Sequence, residues 1–367
     1  MAVSRQASAN EIACRRRIEA ALIVALVILV AIGHWRVALH DADSSVVLVR
    51  RPRGVMGTDC VLAAVVAQGD KATAEAALDA AEALLRQVEA RMSNWLDVSE
   101  VSQLGAAEAG VLVPLSPDTL AVLTAAREAF DLTGQTFDAT CRPQVELWRR
   151  AGETAILPDV AAVAEARAAS RWEDLDLTDS GVVKRTSSAC VDLGGIAKGY
   201  GIDLALRAMQ RSGLRGGLVD VGGDVACFGQ QPGGRPWLIA VRNPQRRGPI
   251  AQLRVGDRAV ATSGDYARYF EIAGKRYSHI IDPRTGWPAE AARSATVVAD
   301  TAIVADIWAT ALSVLGAEGL EGLPQGVEGL VAHDRQSGQR LVCTPGFREL
   351  FIGPPAEAIP AIRSRPP

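Results

Sequence analysis

Asp306 and Thr310 stand four residues apart in the stretch VADIWATAL, a spacing that puts both side chains on one face of a helix. A carboxylate beside a hydroxyl is a pair of hard oxygen donors, which suits Mg2+, a cation that keeps part of its water and takes few protein carboxylates. His279, one of four histidines in the chain, lies in YSHIIDPRTGWP just ahead of an Asp282-Pro283 turn. An imidazole that titrates near neutrality can remove or deliver a proton. Lys198 lies in VDLGGIAKGYGID, where two adjacent glycines open a helix. Such a start leaves N–H groups uncovered for a phosphate or turns carbonyls inward, with a cation alongside. Each segment has a plainer reading. Asp306 can be a solvent-facing helix residue, His279 can only orient the Asp282 turn, and the glycines match neither phosphate-loop nor dinucleotide spacing.

Further segments could wall a pocket. TFDATC (136–141), LVDVGGDV (218–225) and ATSGDYARYF (261–270) each place small or hydroxyl residues and an aspartate beside an apolar run, as loops at strand ends often do. Asp224 or Asp265 can equally be an ordinary turn residue. Trp95, in RMSNWLDVSEV, either stacks on a planar ligand or belongs to the core.

The elements that must carry these residues read as an α+β domain. SSVVLVRR and CVLAAVVA are strands flanking the Gly54–Asp59 turn. Leu78, Ala81, Leu85, Val88 and Met92 share one face of a long helix. Ser116-Pro117 caps a second helix that Gly134 ends, and Gly213 ends the helix that holds Lys198. Strands come next at GLVDVGGDVACFG, WLIAVRN, ARYFEIAG and SATVVA, then a helix over Ala302–Leu315 and a hairpin across RQSG. Without regular βα alternation, the expected fold is mixed sheets packed with helices in a single domain.

The chain's 367 residues, 49% hydrophobic, suffice for a large core. A net charge of −3 with basic residues scattered, Arg15–Arg17 excepted, gives no footprint for nucleic acid. Six cysteines with no CxxC spacing indicate neither a zinc cluster nor a disulfide framework, but free buried thiols. The N-terminus differs from the rest. Residues 1–17 read as a cytoplasmic stretch ending in three arginines, and 18–39 as a membrane anchor or a signal segment with a small-x-small site at Ala31–Gly33. The arginines stay inside and send the rest of the chain outward. A linker over 40–50, a catalytic domain over 51–352 and a loose Pro-rich tail over 353–367 complete the division.

In chain order, GVMGTDC, RMSNWLDVSEVSQL, TFDATCRPQVELW, DLGGIAKGYGID, VDVGGDV, AVATSGDYARYF, YSHIIDPRTGWP and ADIWATALSVLG together resemble the ApbE family, the FAD:protein FMN transferases. The resemblance implies an exported, Mg2+-dependent enzyme with FAD as substrate. It would esterify the FMN half onto a Ser or Thr of an acceptor flavoprotein and release AMP. By position it implies that Met56, Trp95, Thr136, Phe137, Asp138, Asp192, Lys198 and Ile280 contact FAD. It likewise implies that Asp306, Thr310 and the Gly195 carbonyl hold the metal, and that His279 is the acid/base group. It places the domain on the outer side of an inner or plasma membrane. The chain departs from the family pattern at Trp95, commonly tyrosine, at Gly105, usually asparagine, at Ala139, usually proline, and at Ala309, an acidic ligand in some relatives. No cysteine for lipidation comes after the apolar run, and the acceptor pattern Ser/Thr-Gly-Ala-Ser/Thr is absent. A non-catalytic FAD-binding protein and a pyrophosphatase giving FMN and AMP are the other functions open to such a chain.

Overall fold

The computed structural model describes residues 45–245, 247–264, 269–335 and 338–353. The segments 1–17 and 18–39, Asp265 and the tail from residue 354 lie outside them.

An eight-stranded sheet forms the frame. Its strands are β1 (Ser45–Arg50), β2 (Cys60–Ala67), β3 (Gly216–Val221), β4 (Asp224–Gly229), β5 (Ala259–Gly264), β6 (Ser294–Ala299), β7 (Glu328–Arg335) and β8 (Gly338–Cys343). Neighbours in space keep chain order, and every pairing is antiparallel. β1 occupies much of the stretch expected as a linker. Helices and smaller ribbons are inserted between the strands, which makes the fold mixed α+β in one domain, as the irregular alternation in sequence implied.

The strand period of two explains why the sheet is buried on both faces. Leu62, Ala64 and Val66 of β2 point into one apolar layer with Ala259 and Ala261 of β5 and Ala295, Val297 and Ala299 of β6. Ala63, Val65, Val260 and Val298 point to the opposite side, against Trp237 and Val241 of the strand Trp237–Arg242 and Ile250 and Leu253 of its partner Pro249–Val255. The first layer is covered by three helices: α1 (Lys71–Met92), α2 (Ala197–Arg211) and α3 (Ala302–Leu315). The five α1 residues predicted to share a face are all buried, Leu85 completely; truncating it to alanine costs about 2–5 kcal/mol.

The run Ala302–Gly322 is the one described helix long and apolar enough to cross a membrane. It is a core element, with Ala305, Ile307, Ala309, Ala311 and Leu312 packed in the first layer. An apolar stripe on all sides marks a helix surrounded by protein as well as one surrounded by lipid. The expected membrane helix at 18–39 lies outside the described residues, and the span-like helix among them belongs to the domain interior.

Candidate active site

The site lies where α2 and α3 begin, over the end of the sheet at which β3 turns into β4. That turn is Gly222-Gly223, with φ of 67° and 93°. Two successive left-handed residues are what a two-residue hairpin of matching twist requires, and glycine supplies them without strain. The turn delivers Asp224 to the first position of β4, nearly buried, where its Oδ1 accepts the Thr262 N–H of β5 at 3.0 Å.

α2 and α3 cap each other. Neither has a side-chain cap from its own flanking residue. Instead Asp203 of α2 accepts the N–H groups of Ala302 and Ile303 at 2.8 and 3.0 Å, and Asp306 of α3 accepts the Gly199 N–H at 3.1 Å. Each carboxylate meets the positive end of the other helix, satisfying donors that a helix start leaves open. The helices approach this closely because residue 199 is glycine: a Cβ there would come within 2.6 Å of the Ile303 Cα. The glycines of GIAKGYG thus serve helix packing, and the turn before them is closed by Asp192, whose Oδ1 accepts the Gly194 N–H at 2.8 Å.

Lys198 stands between two acids. Its Nζ donates to Asp224 Oδ2 and, at 3.2 Å, to Asp306 Oδ1. Burial opposes its charge, yet the two carboxylates outweigh burial and hold its pKa above the ordinary lysine value. Burial pushes the Asp306 carboxyl up, against the pull of Lys198. Two acids facing one ammonium leave one unit of negative charge over when all are ionised, which favours a further cation.

Thr310 is one turn beyond Asp306. A Cβ on Gly195 would lie 3.0 Å from Thr310 Oγ1 and 3.1 Å from the Phe137 ring, so Gly195, Thr310 and Phe137 meet only because residue 195 has no side chain. Ser263 Oγ of β5 lies 3.4 Å from Thr310 Oγ1. No group of three or more His, Cys, Asp or Glu side chains among the described residues is arranged to hold a metal ion. The donors here are instead two carboxylates, hydroxyls and the Gly195 backbone, a hard-oxygen set that suits Mg2+ keeping several waters rather than a thiolate- or imidazole-loving metal.

The remaining candidates line other walls. Thr136 and Phe137 are buried in the turn after the helix Pro117–Leu132; the Thr136 hydroxyl donates to the Thr133 carbonyl and the Phe137 N–H to the Thr133 hydroxyl. Asp138, its pKa raised by burial, accepts from the Thr140 N–H and hydroxyl. That turn is tied to the next by the Asp192 N–H on the Ala139 carbonyl at 2.7 Å. Met56, at a left-handed φ of 52°, packs on α2, its sulfur 3.5 Å from where a Cβ on Gly201 would lie. Trp95 is 76% exposed on the loop after α1, which Ser99 braces by donating its hydroxyl to the Ser93 carbonyl. The core alternative for Trp95 is thereby excluded.

His279 and Ile280 sit on a separate loop, both half-buried. The Ile280 N–H donates to Ser278 Oγ, and the Ile280 carbonyl accepts the Ala289 N–H at 2.8 Å. Asp282 is committed to the turn: it accepts the Arg284 N–H at 3.0 Å and both arms of the Arg284 guanidinium. The loop rests on the buried Trp148, whose indole N–H donates to the Gly286 carbonyl at 2.8 Å and whose ring centroid lies 5.3 Å from those of both Tyr277 and Trp287. Trp148 belongs to the helix Arg142–Thr154, which starts directly after the Asp138 turn.

The structure brings Phe137, Gly195, Lys198, Asp306 and Thr310 together and adds Asp224, Thr262 and Ser263. Asp224 appeared in the sequence only as a pocket-wall or turn residue. Its signal was the paired glycine between two apolar runs, a hairpin marker that fixes the next residue at a sheet end.

The sequence profile of the ApbE family matches residues 56–331. The FAD:protein FMN transferase of Vibrio cholerae is 36% identical over 242 residues, 64% of this chain and 72% of that protein. One from Klebsiella pneumoniae is 30% identical over 345 residues, 91% of this chain and 97% of that protein. Among solved structures, the flavin transferase ApbE of Vibrio cholerae superposes with a TM-score of 0.73 at 28% identity, covering 84% of this chain and all of that one. The ApbE protein of Thermotoga maritima gives 0.73 at 29% identity over the same share of this chain. On sequence and fold alike, the chain belongs to the ApbE family, the enzymes that transfer FMN from FAD to protein.

Proposed function

We propose that this enzyme moves FMN from FAD onto a Ser or Thr hydroxyl of an acceptor flavoprotein in a Mg2+-dependent reaction that releases AMP. The observation that carries this reading is that Lys198 bridges Asp224 and Asp306 while Thr310, one turn beyond Asp306, lies against Gly195. In the transfer the acceptor oxygen bonds to the FMN phosphorus, the phosphorus–oxygen bond to AMP breaks, and the acceptor hydroxyl gives up its proton. His279 takes that proton, a role that suits a half-buried imidazole. Lys198 meets the phosphates as a point charge. Asp306, Thr310 and the Gly195 carbonyl hold the metal, which when bound neutralises charge across the pyrophosphate. Trp95 offers an open ring face to the flavin, with Met56, Thr136, Phe137, Asp138, Asp192 and Ile280 around the rest of FAD.

The segment 18–39 would hold the domain on the outer side of an inner or plasma membrane, with Arg15–Arg17 inside. An alkaline phosphatase fused after residue 60 is then active only outside; activity of a cytoplasmic reporter at that point reverses the topology.

The deciding experiment incubates the purified protein with FAD, Mg2+ and an acceptor protein carrying a Ser/Thr-Gly-Ala-Ser/Thr segment, and reads intact mass. A covalent FMN on the acceptor supports transfer. Free FMN and AMP with an unmodified acceptor mean hydrolysis, and bound but unchanged FAD means storage.

A further inference from the structure

Lys198 is held in a way that pocket-lining alone does not require. Its ammonium lies against Asp224 of β4 and Asp306 of α3, side chains only 4% and 2% exposed, while its own side chain keeps 30% exposure. Asp306 is thus the anchor of Lys198 and also the carboxylate proposed above for the metal. An ammonium and a divalent cation cannot share one buried carboxylate without strong repulsion, because the interior screens charge poorly. Removing the ammonium with nothing in its place is equally unfavourable, since two buried carboxylates would then stand unpaired.

We infer that Lys198 is the resident countercation of the Asp224–Asp306 pair and leaves both carboxylates when a divalent cation binds. Its exposed flank is the side on which it swings out, toward the phosphates of the arriving nucleotide. Metal and FAD binding are then linked through one side chain: the cation frees the ammonium that the pyrophosphate needs, and each ligand tightens the other by the same factor. The inference rests on the proposed metal role of Asp306, and it concerns binding rather than turnover.

The test uses Mn2+ as the probe, titrated into the purified full-length chain by electron paramagnetic resonance. Without FAD, Lys198→Met should bind Mn2+ about tenfold more tightly than wild type. FAD should tighten Mn2+ in wild type and do so far less in the variant. Equal or weaker Mn2+ binding by Lys198→Met overturns the inference. A second readout needs no variant, because the chain has only four lysines, Lys71, Lys184, Lys198 and Lys275. Amine acetylation read by peptide mass should show Lys198 labelled several-fold more when Mg2+ is added without FAD, with exposed Lys71 and Lys275 unchanged. Flat or falling labelling of Lys198 overturns it too. FMN transfer by the same wild-type preparation is scored separately. Transfer without the lysine response sinks this inference alone, and the response without transfer supports it while sinking the transfer reaction.

Discussion

The α2–α3 junction and the loop around His279 hold their functional groups in opposite ways. One acid at the junction serves the fold and, in the proposed reaction, the chemistry together. Asp306 caps α2 through the Gly199 N–H while it anchors Lys198, and it is 1% exposed. On the loop, Asp282, Ser278 and the Ile280 carbonyl shape the backbone, Trp148 supports it from below, and His279 is half-buried. Replacing Asp306 should therefore damage folding and activity together, whereas a general-base role for His279 predicts a loss of activity larger than any loss of stability.

The largest separation is expected at His279. His279→Ala should lower the chemical step about 10²–10⁴-fold while the melting temperature and FAD affinity stay close to wild type. Single-turnover transfer, FAD titration and a thermal melt on one preparation check this. An early melt or lost FAD binding would make the loop no different from the junction and leave His279 as pocket wall.

Asp306→Ala should show the opposite coupling. If Asp306 is the metal carboxylate proposed above, its loss should cost several kcal/mol of transition-state stabilisation, about 10³-fold in rate. The stranded Gly199 N–H adds about 1–3 kcal/mol of destabilisation. Thr310→Val is the contrast within the same helix. Its hydroxyl has Ser263 at 3.4 Å as its described partner, so the variant should fold normally, lose much of its activity and recover part of it at raised Mg2+. Wild-type activity of both variants in EDTA would remove the metal assignment.

What could be read from sequence divides along the same line. The buried face of α1, the Ser116 cap with Pro117 and the antiparallel strands flanking RQSG are written in neighbouring residues, and all are present, whereas GLVDVGGDVACFG, read as one strand segment, is two strands joined at Gly222-Gly223. The helices Glu100–Ala106, Arg142–Thr154 and Val160–Ala168 were not anticipated; the first has only 7 residues, and the apolar contacts of the other two run to the distant Ile272 and Ile281. The reciprocal capping was also hidden, because it joins residues about a hundred positions apart and replaces the local cap that sequence rules look for. Half-buried Lys198 and fully buried Lys184 show the same limit. Lys198 pairs with two acids, while Lys184, fully buried, donates to the Gly105 and Ser187 carbonyls at 2.8 and 2.9 Å, and burial lowers its pKa. Nothing local to either lysine distinguishes these fates. The family motifs carried the site where local pattern could not, since single segments such as VADIWATAL favoured an ordinary helix.

Asp203 tests the capping without touching the metal donors. It lies one turn beyond Lys198 and bonds only α3 among its described partners. Asp203→Ala leaves two N–H groups open at a buried helix start, for a loss of about 2 kcal/mol and several degrees in melting temperature. Activity well below the melt should change little. A large activity loss with unchanged stability would mean that α3 is positioned by something other than this cap.

The smallest effect belongs to Trp95, the most exposed of the candidates. With 76% of its surface open and its loop braced by Ser99 rather than by the indole, the ring contributes little to folding. Stacking of a planar ligand on an aromatic side chain is worth about 1–3 kcal/mol, so Trp95→Ala should weaken FAD about tenfold and leave the melting temperature unchanged. Trp95→Tyr, the residue more common in the family, should restore most of the affinity because it keeps a ring face at the same place. The measurement is FAD binding by quenching of flavin fluorescence, with the chemical rate taken at saturating FAD. If Trp95→Ala binds FAD as wild type does but raises the KM for the acceptor, the exposed ring faces the protein substrate instead, and the loop after α1 belongs to the docking surface rather than to the flavin pocket.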